Sequence, residues 1–457
     1  MISDKAGYVN FNNVTTENQP FPGGTLGCNQ FRIPGIIRLE NGNLFAVTDA
    51  RWDCAKTDYG GIDTMYSVSE DDGKTWKPSY AAYFPDSNTT PENPSDTTTC
   101  IDSCVVQDKT GRIHIIVNMN PTGITTGLKW PGKGSGFVNI NGKEYISLVK
   151  DYSLTDTVPD EIPREKLFYL NEDREIVSAV SGKTEYSADG YFNLYKNGEA
   201  LYQKQVDTNE TVQQNLFYRD SEFHVYNTMF SLHLYSDDCK KWETEIISNQ
   251  IKEDFESGLI SSPGNGILTS DGKLLMPFYS AAPDGKAQSL IVYSDDNGKN
   301  WKRTPFVPVT EEITISTEGK ITELTPDRWR LFFRNTLNRI CYADFIPSEN
   351  SWLKPQAVDV KVHSDCNFSA IMSGNKILVS YPVGRGENNS GRVNGRLFVF
   401  SLDEKFNMTL ADEKLIEENS FSYSCLTTLS DGTPCVLFDT CDDGFVIFGK
   451  IGKTDLL

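Results

Sequence analysis

Ser69-Glu70-Asp71-Asp72-Gly73-Lys74-Thr75-Trp76 recurs in the chain as Ser294-Asp295-Asp296-Asn297-Gly298-Lys299-Asn300-Trp301, and a shortened copy runs Ser236-Asp237-Asp238-Cys239-Lys240-Lys241-Trp242. Residues of this kind close a hairpin. Serine and aspartate side chains bond nearby backbone amides, glycine takes the positive-φ position, and tryptophan folds back over the strands. The repeat is therefore read as structural, not catalytic. Trp242 and Trp301 stand 59 residues apart, and a degenerate candidate ends 51 residues later at Trp352. That period suits a four-stranded propeller blade.

Outward from these turns the same style continues. Helical periodicity is almost absent, and short runs rich in Val, Ile, Phe and Tyr, such as residues 43–47, 112–117, 273–277, 330–333 and 376–380, alternate with Gly, Asp and Asn clusters. Asn41-Gly42, Thr110-Gly111, Asp271-Gly272, Gly374-Asn375 and Asp431-Gly432 supply the positive φ that tight hairpins need. The expectation is an all-β chain of serial antiparallel hairpins. From Trp76 to Trp242 is 166 residues, too long for one blade step, which predicts an insertion. The expected division is a first propeller part over 1–126, a small β-rich insertion domain over 127–222 and the rest of the propeller over 223–457. Hairpin dipeptides at Asn141-Gly142 and Asn197-Gly198 and an acidic, proline-containing stretch at 151–165 fall within the insertion.

The 457 residues carry 43 Lys and Arg against 63 Asp and Glu, a formal net charge of −20. That argues against general nucleic-acid or anionic-membrane binding. No apolar run approaches the roughly 20 residues that span a bilayer. The first residues, Met1-Ile2-Ser3-Asp4-Lys5, have neither the basic nor the apolar region of a signal peptide. Ten cysteines form no CxxC and are read as mostly free or structural thiols, with Cys100 and Cys104 alone close enough to suggest a local pair.

Phe31-Arg32-Ile33-Pro34, just ahead of the first strand, followed by Asp-box hairpins in a repeating β chain, resembles the bacterial sialidase (neuraminidase) family along nearly the whole length. Lys183-Thr184-Glu185-Tyr186 and Asn193-Leu194-Tyr195-Lys196-Asn197-Gly198 look most like the branch that contains intramolecular trans-sialidases. The resemblance implies a six-bladed β-propeller acting as a retaining exo-α-sialidase on sialylated glycans. It further implies a monomer with no metal or organic cofactor, secreted or at the cell surface with its leader absent from this chain; a cytoplasmic location is the alternative.

It also implies a set of site residues. Three arginines clamp the sugar's carboxylate, a task that suits a planar, permanently charged guanidinium. Arg32 takes the first place by its motif, Arg334 the second by ending Leu331-Phe332-Phe333, and Arg392 the third in Ser390-Gly391-Arg392-Val393-Asn394-Gly395, ahead of Arg385 and Arg396. Tyr423, in Tyr423-Ser424-Cys425-Leu426, matches the family's nucleophile motif. A phenol has a pKa near roughly 10 and needs a base in contact with it. Glu318, in Ser316-Thr317-Glu318-Gly319-Lys320 and 16 residues before Arg334, resembles that base; Gly319 and Lys320 depart from the family's small and amide residues, and Glu323 is a competing carboxylate read as structural. Asp58 resembles the acid that protonates the leaving oxygen, with Asp53 its rival. Arg51 and Asp102 resemble contacts to the sugar's hydroxyl and N-acetyl side, and Tyr279 either lines the leaving-group side or packs within a blade.

Water as acceptor gives free sialic acid, and the sugar's own glycerol hydroxyl gives the 2,7-anhydro product. The segment Phe438-Asp439-Thr440-Cys441-Asp442-Asp443-Gly444 lacks the tryptophan that the trans-sialidase branch places after its nucleophile strand, so hydrolysis is expected unless Trp130 or the insertion supplies a dry wall. A propeller that only binds sialic acid needs the arginines but neither Glu318 nor Tyr423.

Overall fold

The computed structural model describes residues 19–52, 58, 60–84, 98–121, 135–204, 211–387, 389–441 and 444–451. Helix among them is confined to Ser248–Ile251 and isolated 3-10 turns. The expected turn glycines, Gly42, Gly111, Gly272, Gly374 and Gly432, all have positive φ. In the first Asp box Gly73 N donates to Ser69 Oγ (2.8 Å) and Thr75 N to Asp71 Oδ1 (2.8 Å); the box at Ser294 repeats the pattern with Gly298 N on Ser294 Oγ (2.9 Å) and Asn300 N on Asp296 Oδ1 (2.9 Å). In the shortened copy Cys239 takes the positive φ, and Lys241 N bonds Asp238 Oδ1 at 2.9 Å. Trp352 follows a different turn, the 3-10 segment Pro347–Glu349 with Asn350 in the left-handed region.

The hairpins arrange themselves in a propeller-like ring. Four blade sheets stand separately, built around Leu274–Ala281, Arg328–Phe333, Lys376–Pro382 and Pro434–Asp439. This differs from the six separate blades expected, because the strands from Gln30–Arg38 to Ile113–Pro121 join with Phe230–Ser236, Glu243–Ile246 and Gly264–Asn265 into one nine-stranded sheet. The joints are parallel: Ile62 pairs with Thr99, and Gly264-Asn265 pairs with Cys104-Val105. Inner strands converge there, so neighbouring edges come within hydrogen-bonding reach. The ring closes where Phe31, Ile36, Leu44 and Met65 of the first strands share a core with Cys425, Leu429, Leu437 and Val446 of the last.

Tyr202–Lys204 pairs with Thr211–Gln213 in a two-stranded sheet, and the strands from Phe137–Ile140 to Glu199–Ala200, with His224–Val225, form a separate eight-stranded one. Its Phe192, Leu194 and Phe217 pack in one cluster with Phe45, Tyr66 and Trp242 of the nine-stranded sheet, so the two share a core. The described cysteines are free, Cys100 and Cys104 included.

Asp-box tryptophans and acids make different contributions. Trp301 is buried, with its ring edge-on to His114 and His233, whereas Asp296 bonds only its own turn. Trp301→Ala is expected to cost about 3–5 kcal/mol and Asp296→Ala about 1 kcal/mol. Thermal midpoints of the two variants check this, and equal losses contradict it.

Candidate active site

The spacing of 16 between Glu318 and Arg334 is that of one hairpin. Arg334 N donates to Glu318 O (2.8 Å) and Thr317 N to Arg334 O (3.0 Å), which extends the ladder of Gly319–Thr325 and Arg328–Phe333 by one rung. Gly319 is required there, since a Cβ would meet the Phe332 carbonyl oxygen at 2.7 Å. Tyr423 stands immediately before strand Ser424–Thr428 and reaches the same point from another sheet. Its Oη donates to Glu318 Oε1 at 2.7 Å, and Arg334 Nη1 donates to Glu318 Oε2 and to Tyr423 Oη, each at 3.2 Å. Burial, and next Glu318, push the Tyr423 phenol well above the ordinary tyrosine range against the pull of Arg334 and Arg392. The resting phenol is therefore protonated, its hydrogen directed to Glu318 Oε1.

Two further guanidiniums flank the ring of Tyr423. The central carbons of Arg32 and Arg392 lie 5.6 and 5.2 Å from its centroid. Arg32 is turned inward by a bulge between Arg32 and Gly35, where Ile33 has φ +61°, and Asp439 Oδ2 holds the turn by accepting from Ile33 N (3.0 Å) beside Arg32 Nε (3.4 Å). Arg32 Nη2 is buried without a hydrogen-bond partner among the described residues, a donor left for an anion. Arg392 Nε donates to Asp365 O (3.2 Å), and the Asp365 carboxylate pairs with Arg334. Arg396 instead pairs with Glu413 (3.0 Å), and Arg385 sits on an exposed turn.

A second cluster adjoins the first. Arg51, fully buried, donates through Nη2 to Asp49 Oδ2 (3.0 Å) and through Nη1 to Asp58 Oδ1 (2.8 Å), whose side chain is 58% exposed. Asp102, at φ +65° in a bulge, donates its backbone N to Asp49 Oδ1 (3.3 Å). Burial drives its carboxyl well up, reinforced by Asp49 and Glu318. Tyr279 packs on Met229 and Ile260, with its phenol raised by burial, then by Glu318 and Asp102. Glu323 accepts from Ser270 N and Oγ (2.7 Å each) and takes no part in the cluster. Asp53, Trp130, Asp442 and Asp443 lie outside the described residues.

Three carboxylates escaped the reading of the sequence: Asp439, Asp365 and Asp49. Asp49 was findable, because it precedes Arg51 by two residues and so shares its strand face. Asp439 lies in a segment read only for its missing tryptophan, and Asp365 carries no motif. Among the described residues no group of three or more His, Cys, Asp or Glu is arranged to hold a metal ion.

A BNR repeat-like domain matches residues 33–308, and a second such domain matches 199–436. An anhydrosialidase from Macrobdella decora is 28% identical over 94% of this chain and 60% of its own length, and sialidase B of Streptococcus pneumoniae is 27% identical over 92% and 63%. The chain belongs to the BNR-repeat sialidase family. It spans 60% and 63% of the lengths of these two curated relatives. Among solved structures, the intramolecular trans-sialidase from Ruminococcus gnavus superimposes with TM-score 0.79 at 25% identity, covering 100% of this chain and 99% of that one. The leech intramolecular trans-sialidase gives the same score at 23% identity over 100% and 71%, a likeness of fold.

This sialidase-family chain buries carboxyls whose protonation bears on its stability. Burial pushes Asp63, which accepts from Trp52 Nε1 (2.7 Å) and Phe84 N (2.8 Å), to about 7, and Asp49 likewise to about 7. Unfolded aspartates titrate near roughly 4. Between those values the folded state holds more protons, so these groups make stability fall as pH rises from about 4 to about 7 and add no slope above it. Asp63→Asn is expected to flatten the fall in thermal midpoint over that window, whatever constant loss accompanies the missing acceptor. An unchanged slope contradicts the assignment.

Proposed function

We propose that this protein is an exo-α-sialidase that releases terminal sialic acid from sialylated glycans with retention of configuration. The observation that carries the reading is the 2.7 Å hydrogen bond from Tyr423 Oη to Glu318 Oε1 with Arg32, Arg334 and Arg392 around it. The arginines take the substrate carboxylate. Glu318 accepts the phenol proton as Tyr423 Oη attacks the anomeric carbon, and the glycosidic bond breaks while Asp58 gives its proton to the leaving oxygen. Asp58 then removes a proton from the acceptor hydroxyl, whose oxygen displaces Tyr423, and Glu318 returns its proton to the departing phenolate. Two inversions give retention. Arg51 and Asp102 contact the hydroxyl and N-acetyl side, and Tyr279 lines the leaving-group side. A propeller that only binds has no use for the tyrosine–carboxylate pair.

The architecture we propose is six-bladed, the nine-stranded sheet counting as two blades, with residues 127–222 as an inserted domain. The protein is a monomer acting outside the cytoplasm. Water is the leading acceptor, since the polar segment at 440–444 makes a poor dry wall. The second reading is attack by the sugar's own glycerol hydroxyl, favoured by the likeness to the Ruminococcus gnavus enzyme.

Tyr423→Phe is expected to lose three or more orders of magnitude in turnover, about 4 kcal/mol or more, and to keep binding sialic acid; near-normal turnover sinks the nucleophile assignment. Arg392→Ala is expected to raise KM on the order of a hundredfold, and a larger effect from Arg396→Ala would move the third clamp residue. Mass spectrometry of the product decides the acceptor: free sialic acid carries one more water than the anhydro sugar. A dominant anhydro species overturns hydrolysis.

A further inference from the structure

We infer that Lys320 is a positioning residue for the reaction proposed above: its buried ammonium, one layer beneath the Tyr423–Glu318 pair, stabilises the single negative charge that the pair carries. Residues two apart on a strand share a face. Lys320 follows Glu318 by two and Cys425 follows Tyr423 by two, so base and nucleophile each have a residue of this lower layer below them. Lys320 is 1% exposed, and its Nζ donates to the Pro263 carbonyl. The space is made by Gly264, at φ +114°, where a Cβ would overlap Nζ. Cys425 Sγ donates to Asn265 Oδ1 (3.2 Å) and accepts from Ile36 N (3.3 Å), which leaves it a neutral thiol packed in the same layer.

An ammonium so far from water requires negative charge nearby. Burial pulls the Lys320 ammonium down from the ordinary lysine range, and the groups that hold it up are the thiols of Cys425 and Cys104 at its own level and the carboxyls of Glu318 and Asp102 above. Burial keeps both thiols protonated and drives the Asp102 carboxyl well up. The charge available to Lys320 is therefore the one shared by Glu318 and Tyr423. Arg334 also faces that charge, but it is divided among Glu318, Tyr423 and Asp365 and, in the proposed reaction, the substrate carboxylate. Lys320 is a cation that a bound substrate cannot draw away.

This inference rests on the proposed activity, and two readouts separate their failures. In Lys320→Met, whose side chain has similar length and no charge, the acid limb of kcat/KM on a sialoside is expected to move up by about one pH unit, with about a tenfold loss at a pH below the limb and a smaller one near neutrality. The second readout needs no substrate. The infrared band of the protonated carboxyl of the pair, assigned by its disappearance in Glu318→Gln, is expected to titrate with a midpoint about one unit higher in Lys320→Met. Absence of turnover in the unaltered protein sinks the activity while the infrared midpoint still decides Lys320. If Lys320→Met fails to fold, Lys320→Gln takes its place. A purely structural Lys320 would change the thermal midpoint and leave both titrations in place, and that result overturns the inference.

Discussion

A phenol and a carboxylate, both buried, meet at 2.7 Å across the ring from positions 105 residues apart in the chain. Much of the surrounding structure follows from making that contact tolerable. Each ionised group taken out of water needs a partner of opposite charge or several donors, so Glu318 draws in Arg334, Arg32 is held by Asp439, and Arg51 by Asp49 and Asp58. The pairing is incomplete at Arg32 Nη2. A buried donor without an acceptor costs about 1–3 kcal/mol, a cost that an anionic ligand bound there would offset.

Backbone strain is spent at the same place. Ile33, a β-branched residue at φ +61°, and Asp102 at φ +65° both lie at register breaks in inner strands. Such residues cost of order 1–3 kcal/mol each and persist only where the surroundings fix them. At Ile33 the fixing groups are visible: Asp439 accepts its N–H, and its side chain packs on Cys366 and Tyr423. The bulge that strains Ile33 is what turns Arg32 toward the phenol, so the strain and the placement of Arg32 are one local geometry.

The hairpin architecture was legible because its signals are local. Ser69, Asp71 and Gly73 make their bonds within a few residues, and a turn chemistry that closes on itself survives in any tertiary setting. The number of separate sheets was not legible, since it depends on Ile62 meeting Thr99 and Gly264 meeting Cys104, pairings that no local pattern encodes. The convergence of Arg32, Glu318, Arg334, Arg392 and Tyr423 was anticipated through short motifs and one hairpin spacing. Asp439 acts on a residue 406 positions away, and Asp365 reaches Arg334 from a loop without any signature, so neither left a trace in the neighbouring sequence.

The Asp boxes fall away from the guanidiniums of this cluster. Strand Ile62–Ser69 starts opposite Arg51 and ends in the first box. Strand Ala287–Ser294 starts where Ala287 O accepts from Ser316 N, two residues from Glu318, and ends in another; strand Phe230–Ser236 follows Met229, which packs on Tyr279, and ends in the shortened copy. In each case the acids of the box stand at the far end of a strand whose near end serves the site. A strand of seven or eight residues at about 3.3 Å per residue spans roughly 25 Å, against a screening length near 8 Å at physiological ionic strength. The box carboxylates are therefore screened from the arginines. An anion approaching the near end meets the guanidiniums of Arg32, Arg334 and Arg392, while the acids of the boxes stand at the far ends of these strands.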